Sequence, residues 1–116
     1  MPFRFIRVSK QAATIVITID NKPVNALHPD VSEEILEVVE TAATDEAIRV
    51  LIITGVGKHF VAGGDIAFFQ TLTSRTAERY ALRIQQMQNT LQTISIPVIA
   101  AVNGTALGVG CELMMA

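Results

Sequence analysis

Pro97-Val-Ile-Ala-Ala-Val-Asn-Gly104, continuing as Thr105-Ala-Leu-Gly-Val-Gly-Cys-Glu112, decides the reading of this chain. An apolar run of strand length passes into a Gly-rich loop, Gly104 to Gly110, and the loop opens a helix. The start of a helix leaves backbone N–H groups without intrahelical partners, so such a junction presents donors to developing negative charge. Glu112 falls in the first turn of that helix, where the dipole favours a carboxylate with or without a chemical role. A second segment, Phe60-Val-Ala-Gly-Gly-Asp65-Ile66, offers the same close backbone approach through its two adjacent glycines. The two loops are each able to contribute one N–H to a shared oxyanion hole. Asp65 also has a plainer role, as the cap of the short apolar segment behind it.

The elements on either side alternate between strand and helix patterns. Phe3 to Val8 and Thr14 to Asp20 read as strands, and in the second Ile15, Ile17 and Ile19 share one face. Asp20-Asn-Lys-Pro23 has turn chemistry. Asp30-Val-Ser-Glu33 has the form of a capping box, with a helix behind it that places Val31, Ile35, Val38, Val39 and Ala42 on one side. Val50 to Thr54 is a continuous apolar run, the pattern of a strand covered on both faces. A longer helix spans about Thr76 to Ile94, with Ala77, Tyr80, Ala81, Ile84, Met87, Leu91 and Ile94 at three- and four-residue steps. A strand at Val98 to Val102 follows Pro97, and Pro97–Val102 is expected in the core. This alternation predicts an α/β fold with helical crossovers.

Composition sets the outer limits. The chain has 116 residues, 9 Lys+Arg against 11 Asp+Glu for a net charge of −2, 50% hydrophobic and 17% charged residues. With a mean hydropathy of +0.42 it is a folded chain of one domain and not a disordered one. No basic cluster supports binding to nucleic acid or an anionic membrane. A single cysteine, Cys111, excludes an internal disulfide framework and a Cys-rich zinc site. The most apolar stretch, Pro97 to Ala116, contains Asn103 and Glu112 and makes a poor membrane span. A cytoplasmic protein is the expectation. Because the chain stops at Glu112-Leu-Met-Met-Ala116 inside an apolar segment, it is expected to be the front part of a longer one.

Other short motifs carry less. Gly55-Val-Gly57 has Phe60 where a dinucleotide fingerprint needs Gly or Ala, so it reads as a turn. Lys58 does not complete a phosphate loop. His28 and His59 lie far apart without ligand-spaced partners, and no metal is expected.

At the two Gly-rich segments the chain resembles the enoyl-CoA hydratase/isomerase family, the crotonases. The resemblance covers nearly the whole chain: Asn21-Lys-Pro-Val-Asn-Ala-Leu27, Phe60-Val-Ala-Gly-Gly-Asp-Ile66, Pro97-Val-Ile-Ala-Ala-Val-Asn-Gly104 and Ala106-Leu-Gly-Val-Gly-Cys-Glu-Leu113, in family order. It implies an α/β fold of the crotonase (ClpP-like) type, a spiral of ββα units that forms trimers, often paired into hexamers. Residues 1–116 correspond to the N-terminal part of such a domain, incomplete at the C-terminus.

The resemblance also implies roles. The backbone N–H groups of Ala62 and Val109 would form the oxyanion hole, with Ala62, Gly63, Gly64, Asp65 and Val109 lining the substrate side. Glu112 matches the first catalytic glutamate and would act as a base on water. The implied reaction is reversible hydration of a 2-enoyl-CoA, as in fatty acid β-oxidation. Coenzyme A enters as part of the acyl-CoA substrate, and no separate cofactor or metal is implied. Enoyl-CoA double-bond isomerisation and a non-catalytic acyl-CoA-binding or assembly module are the alternatives. Two departures bear on the choice. Val109 stands where the family often has Gly, and the second glutamate of the hydratases belongs to a segment past Ala116.

Overall fold

The computed structural model describes residues 3–116. Its first sheet contains β1 (Ile6–Gln11), β2 (Thr14–Ile19), β3 (Val50–Gly55) and β5 (Val98–Ala100), in that spatial order. β1 and β2 form an antiparallel hairpin, while β2–β3 and β3–β5 are parallel pairs. The parallel pairs require crossovers, supplied by α1 (Pro29–Ala43) and by α3 (Ser74–Thr93). Between β3 and α3 the chain makes β4 (His59–Ala62) and the one-turn α2 (Ile66–Phe69). After β5 come β6 (Thr105–Leu107) and α4 (Val109–Met115). β4 and β6 pair in parallel as a second, two-stranded sheet.

The sheet and helices share one core. Ile17, Ile19, Leu51 and Ile53 cluster with Val31, Ile35, Val38, Val39 and Ala42 of α1 and with Ile84, Met87 and Leu91 of α3. These are the apolar positions that the two-residue and three-to-four-residue periods select. Ala81, although on the predicted helix stripe, is exposed.

Several boundaries differ from expectation for identifiable reasons. β1 is displaced toward the hairpin, because Gln11 pairs with Thr14 across a turn at Ala12. The segment before it docks on α1 instead, with the Arg4 and Phe5 N–H groups donating to the Glu34 carboxylate at 3.0 and 2.9 Å. The cap of α1 is His28, whose Nδ1 accepts from the Asp30 N–H at 3.0 Å, so Pro29 opens the helix and Asp30 sits inside its first turn. The α3 capping box is Thr73 with Thr76. The run Val50–Thr54 is not covered on both faces: Leu51 and Ile53 are buried, Val50 and Ile52 only half-buried. Pro97–Val102 is not a core strand either. β5 ends at Ala100 on the sheet edge, with Ile99 50% and Val102 42% exposed. Gly55-Val-Gly57 forms the expected turn, with Gly57 at φ +75.

No helix among the described residues is long and apolar enough to cross a membrane.

Candidate functional site

The two-stranded sheet is what brings the Gly-rich segments together. β4 and β6 run in the same direction with Ala62 opposite Leu107, so their C-terminal ends lie side by side. The chain leaves β4 into Gly63-Gly64 and leaves β6 into Gly108-Val109. Segments far apart in sequence thereby arrive at one place through backbone pairing alone.

Gly108 precedes α4 in a left-handed conformation (φ 54) with no side-chain cap, and Val109 is the first helical residue. Its N–H is therefore among those the helix leaves unpaired. α4 lies hard against β4: a Cβ on Gly110 would stand 2.0 Å from the Val61 carbonyl oxygen. Only glycine permits that approach, which sets the depth of the helix start relative to β4.

A cavity of about 490 Å³ opens here, lined by Gly64, Gly108, Val109 and Glu112 on one side. Phe69 of α2 and Tyr80, Ala81, Ile84, Gln85 and Gln88 of α3 complete it. Phe69 lies directly on Gly64, where a Cβ would meet the ring at 2.2 Å. Tyr80 donates from its hydroxyl to the Leu27 carbonyl at 3.2 Å. Burial, reinforced by the negative charge of Asp65, raises the pKa of that phenol, which therefore stays protonated and a donor. A separate cavity of about 360 Å³ lies among α1, α2 and α3, and shares Tyr80 and Ile84 with the first. It contains neither glycine loop nor Glu112.

Val109, Gly64 and Glu112 thus meet at one cavity, while Ala62, Gly63 and Asp65, also expected on the substrate side, are not among its lining residues. The Ala62 N–H donates to the Val24 carbonyl at 3.1 Å, so it is already engaged within the fold. The reason is local: Ala62 is the last residue of β4, beside the loop that carries Val24. Gly64, two residues on, is the member of that segment that lines the cavity. Asp65 caps α2, accepting from the Phe68 N–H at 3.0 Å, and is not among the lining residues. Gly63 turns the chain at φ +97, and its carbonyl accepts from the Leu27 N–H at 2.9 Å.

Sequence reasoning overlooked the α3 wall. Gln85 and Gln88 follow Ala81 and Ile84 at helical spacing, two polar residues on the flank of the apolar stripe. That pair was the available signal. Among the described residues no group of three or more His, Cys, Asp or Glu gathers as a metal site would require.

The model of the family described as "Enoyl-CoA hydratase/isomerase" matches residues 9–116. The chain is 43% identical over 117 residues to a crotonyl-CoA hydratase of Syntrophomonas wolfei, covering 99% of this chain and 45% of that protein. A probable enoyl-CoA hydratase of Bacillus subtilis is 40% identical over 102 residues, covering 87% of this chain and 40% of that one. Among solved structures, an enoyl-CoA hydratase from Bacillus anthracis superposes with a TM-score of 0.92 at 28% identity, covering 97% of this chain and 45% of its own. The chain therefore spans less than half the length of the relatives it matches. Its α/β fold is the corresponding part of the crotonase fold.

Proposed function

The chain belongs to the enoyl-CoA hydratase/isomerase family, and from that premise we propose that it carries the oxyanion hole and one acid/base of an enzyme that hydrates 2-enoyl-CoA thioesters. The observation that carries the reading is the meeting of Gly64, Val109 and Glu112 at one cavity, at the ends of parallel strands.

In this reading the thioester carbonyl oxygen accepts from the N–H groups of Gly64 and Val109. Gly64 takes the place first assigned to Ala62, whose N–H is bonded to Val24. Glu112 removes a proton from water as its oxygen bonds to C3. The electrons of the double bond move toward the carbonyl and give an enolate, held by the two donors. Glu112 then returns that proton to C2, which restores the thioester and the free carboxylate. Donors fixed before reaction are effective because no reorganisation accompanies charge development, and one such donor is worth on the order of 10²–10³ in rate. Coenzyme A enters only as part of the substrate.

Glu112 at the cavity wall also supports a second reading, isomerisation of a 3-enoyl-CoA. A single base suffices there, taking a proton from C2 and returning it at C4. Cytoplasmic location and trimeric or hexameric assembly belong to the same proposal.

The test is Glu112→Gln, assayed for crotonyl-CoA hydration in the whole protein that contains this chain. Turnover is expected to fall by about 10²–10⁴, and undiminished turnover would sink the assignment. Comparing 3-enoyl- with 2-enoyl-CoA separates the two reactions. Binding of thioesters with turnover of neither would favour a non-catalytic module.

A further inference from the structure

The α3 wall of the cavity contains a polar group with nothing to bind. Nε2 of Gln88 is buried and has no hydrogen-bond partner among the described residues. Buried side-chain donors are nearly always paired, so an unpaired one marks a place where a partner arrives from outside. Gln88 lines the same cavity as Gly64, Val109 and Glu112, as do Gln85 and Ile84 of the same helix. No hydrogen bond holds Nε2 in its present direction, and the terminal amide torsion is broad. The amide can therefore turn its donor toward the cavity without breaking a bond.

The charge of the cavity restricts what that donor can meet. Glu112 lines it, and no Lys or Arg does so among the described residues. A second carboxylate placed beside Glu112 would face like-charge repulsion with no Lys or Arg on the described wall to offset it. A neutral oxygen carries no such cost and pairs with an amide N–H.

We infer that Gln88 is a specificity-determining residue that selects thioesters whose acyl chain carries a neutral hydrogen-bonding oxygen, a ketone or hydroxyl, beyond the reacting carbons. The inference rests on reading this cavity as the thioester site. Glu112 and the backbone donors perform the reaction, and Gln88 acts on the far part of the chain. A polar contact of this kind discriminates mainly by what is left unpaired when the matching group is missing.

The test compares equilibrium binding of hexanoyl-CoA, 4-oxohexanoyl-CoA, 5-oxohexanoyl-CoA and adipyl-CoA to the whole protein, as wild type and as Gln88→Met and Gln88→Leu. Methionine keeps the volume, so one variant remains informative if leucine disturbs packing. The expected result is about two- to tenfold tighter binding of one oxo isomer than of hexanoyl-CoA, abolished in Gln88→Met, with adipyl-CoA the weakest. Equal binding of the hexanoyl and both oxo compounds by the wild type overturns the inference and leaves the thioester site standing. A preference that survives both substitutions overturns the role of Gln88, and adipyl-CoA binding as tightly as the oxo compounds overturns the restriction to neutral oxygens. Failure of all four to bind overturns the thioester reading and the inference together.

Discussion

Asn25 and Asn103 donate to the same oxygen, the His59 carbonyl, at 2.9 and 3.1 Å from their side-chain amides. One comes from the loop after β2 and the other from the turn after β5, and they hold the β3–β4 turn between them. Asn25 also donates to the Val56 carbonyl at 3.2 Å and accepts from the Asn21 N–H at 2.9 Å. Asn103 accepts from the Gly55 N–H at 3.0 Å and donates to the Gly57 carbonyl at 2.9 Å. Asn25 and Asn103 thus bind the fold, and the carbonyl they share opens the strand that leads to Gly64.

Replacing Asn25 should be costly. The residue is 1% exposed and sits at φ 56, a left-handed conformation that Asn tolerates better than Ala. Asn25→Ala is expected to lower stability by about 2–4 kcal/mol, since it strands several buried groups and adds strain. Asn103→Ala, on the exposed side, is expected to cost about 1 kcal/mol. Their effects should not add, because the two side chains share one acceptor. Urea unfolding of the two single variants and the double variant measures this, and strict additivity would contradict the shared-carbonyl account.

A backbone donor can be removed with proline. Val109 is the first residue of α4, where a helix accepts proline most readily. Val109→Pro is expected to fold, and to lose on the order of 10²–10³ in hydration rate in the whole protein. Val109→Ala keeps the N–H and should retain most of the rate. Equal rates for the two variants would remove Val109 from the oxyanion hole.

Gly110→Ala tests the seating of α4. The added methyl meets the Val61 carbonyl, a backbone atom that cannot swing aside. Stability should fall by about 1–3 kcal/mol, and thioester binding should weaken with it. A thermal melt indistinguishable from wild type would show that α4 moves freely relative to β4.

The pair between Arg83 and Glu33 predicts a pH dependence. The Arg83 Nη2 donates to Glu33 Oε1 at 2.7 Å, and Nε bonds the second oxygen. Hydrogen bonding to Arg83 holds the Glu33 carboxyl below its ordinary value of 4.5, against a smaller opposing effect of desolvation and with a further contribution from the Arg83 charge. A depressed folded-state value stabilises the protein above pH 4.5, and the benefit disappears as pH falls through the folded value. Both side chains are largely solvated, so the contribution is under about 1 kcal/mol. The stability difference between wild type and Glu33→Gln should therefore shrink between neutral pH and acid. A difference that grows toward acid would contradict the pairing.

Much of the architecture was legible because periodicity reports burial. Ile17 and Ile19 in β2, and Val31, Ile35, Val39 and Ala42 in α1, are core residues as their spacing predicts. β6 was legible only as part of a glycine loop, because three residues are too few to show a period. Ala62 illustrates a different limit. Which N–H in Ala62-Gly-Gly-Asp65 is open depends on Val24 arriving beside it, a tertiary contact with no local trace. Asp65 is the converse case, since its capping role is local and its sequence position shows it.

The pairing of β4 with β6 separates two kinds of inheritance. What would activate a carbonyl in the proposed site is main-chain geometry, which mutation of most neighbouring side chains leaves untouched. What would sort one acyl chain from another in the proposed site is the cavity-facing side of α3, such as Gln85 and Gln88, while Met87 and Leu91 keep the same helix in the core. A lineage built on this scaffold could therefore change its diet without relearning its chemistry, and an engineer could vary the exposed face of α3 while leaving its core residues and the strand ends alone.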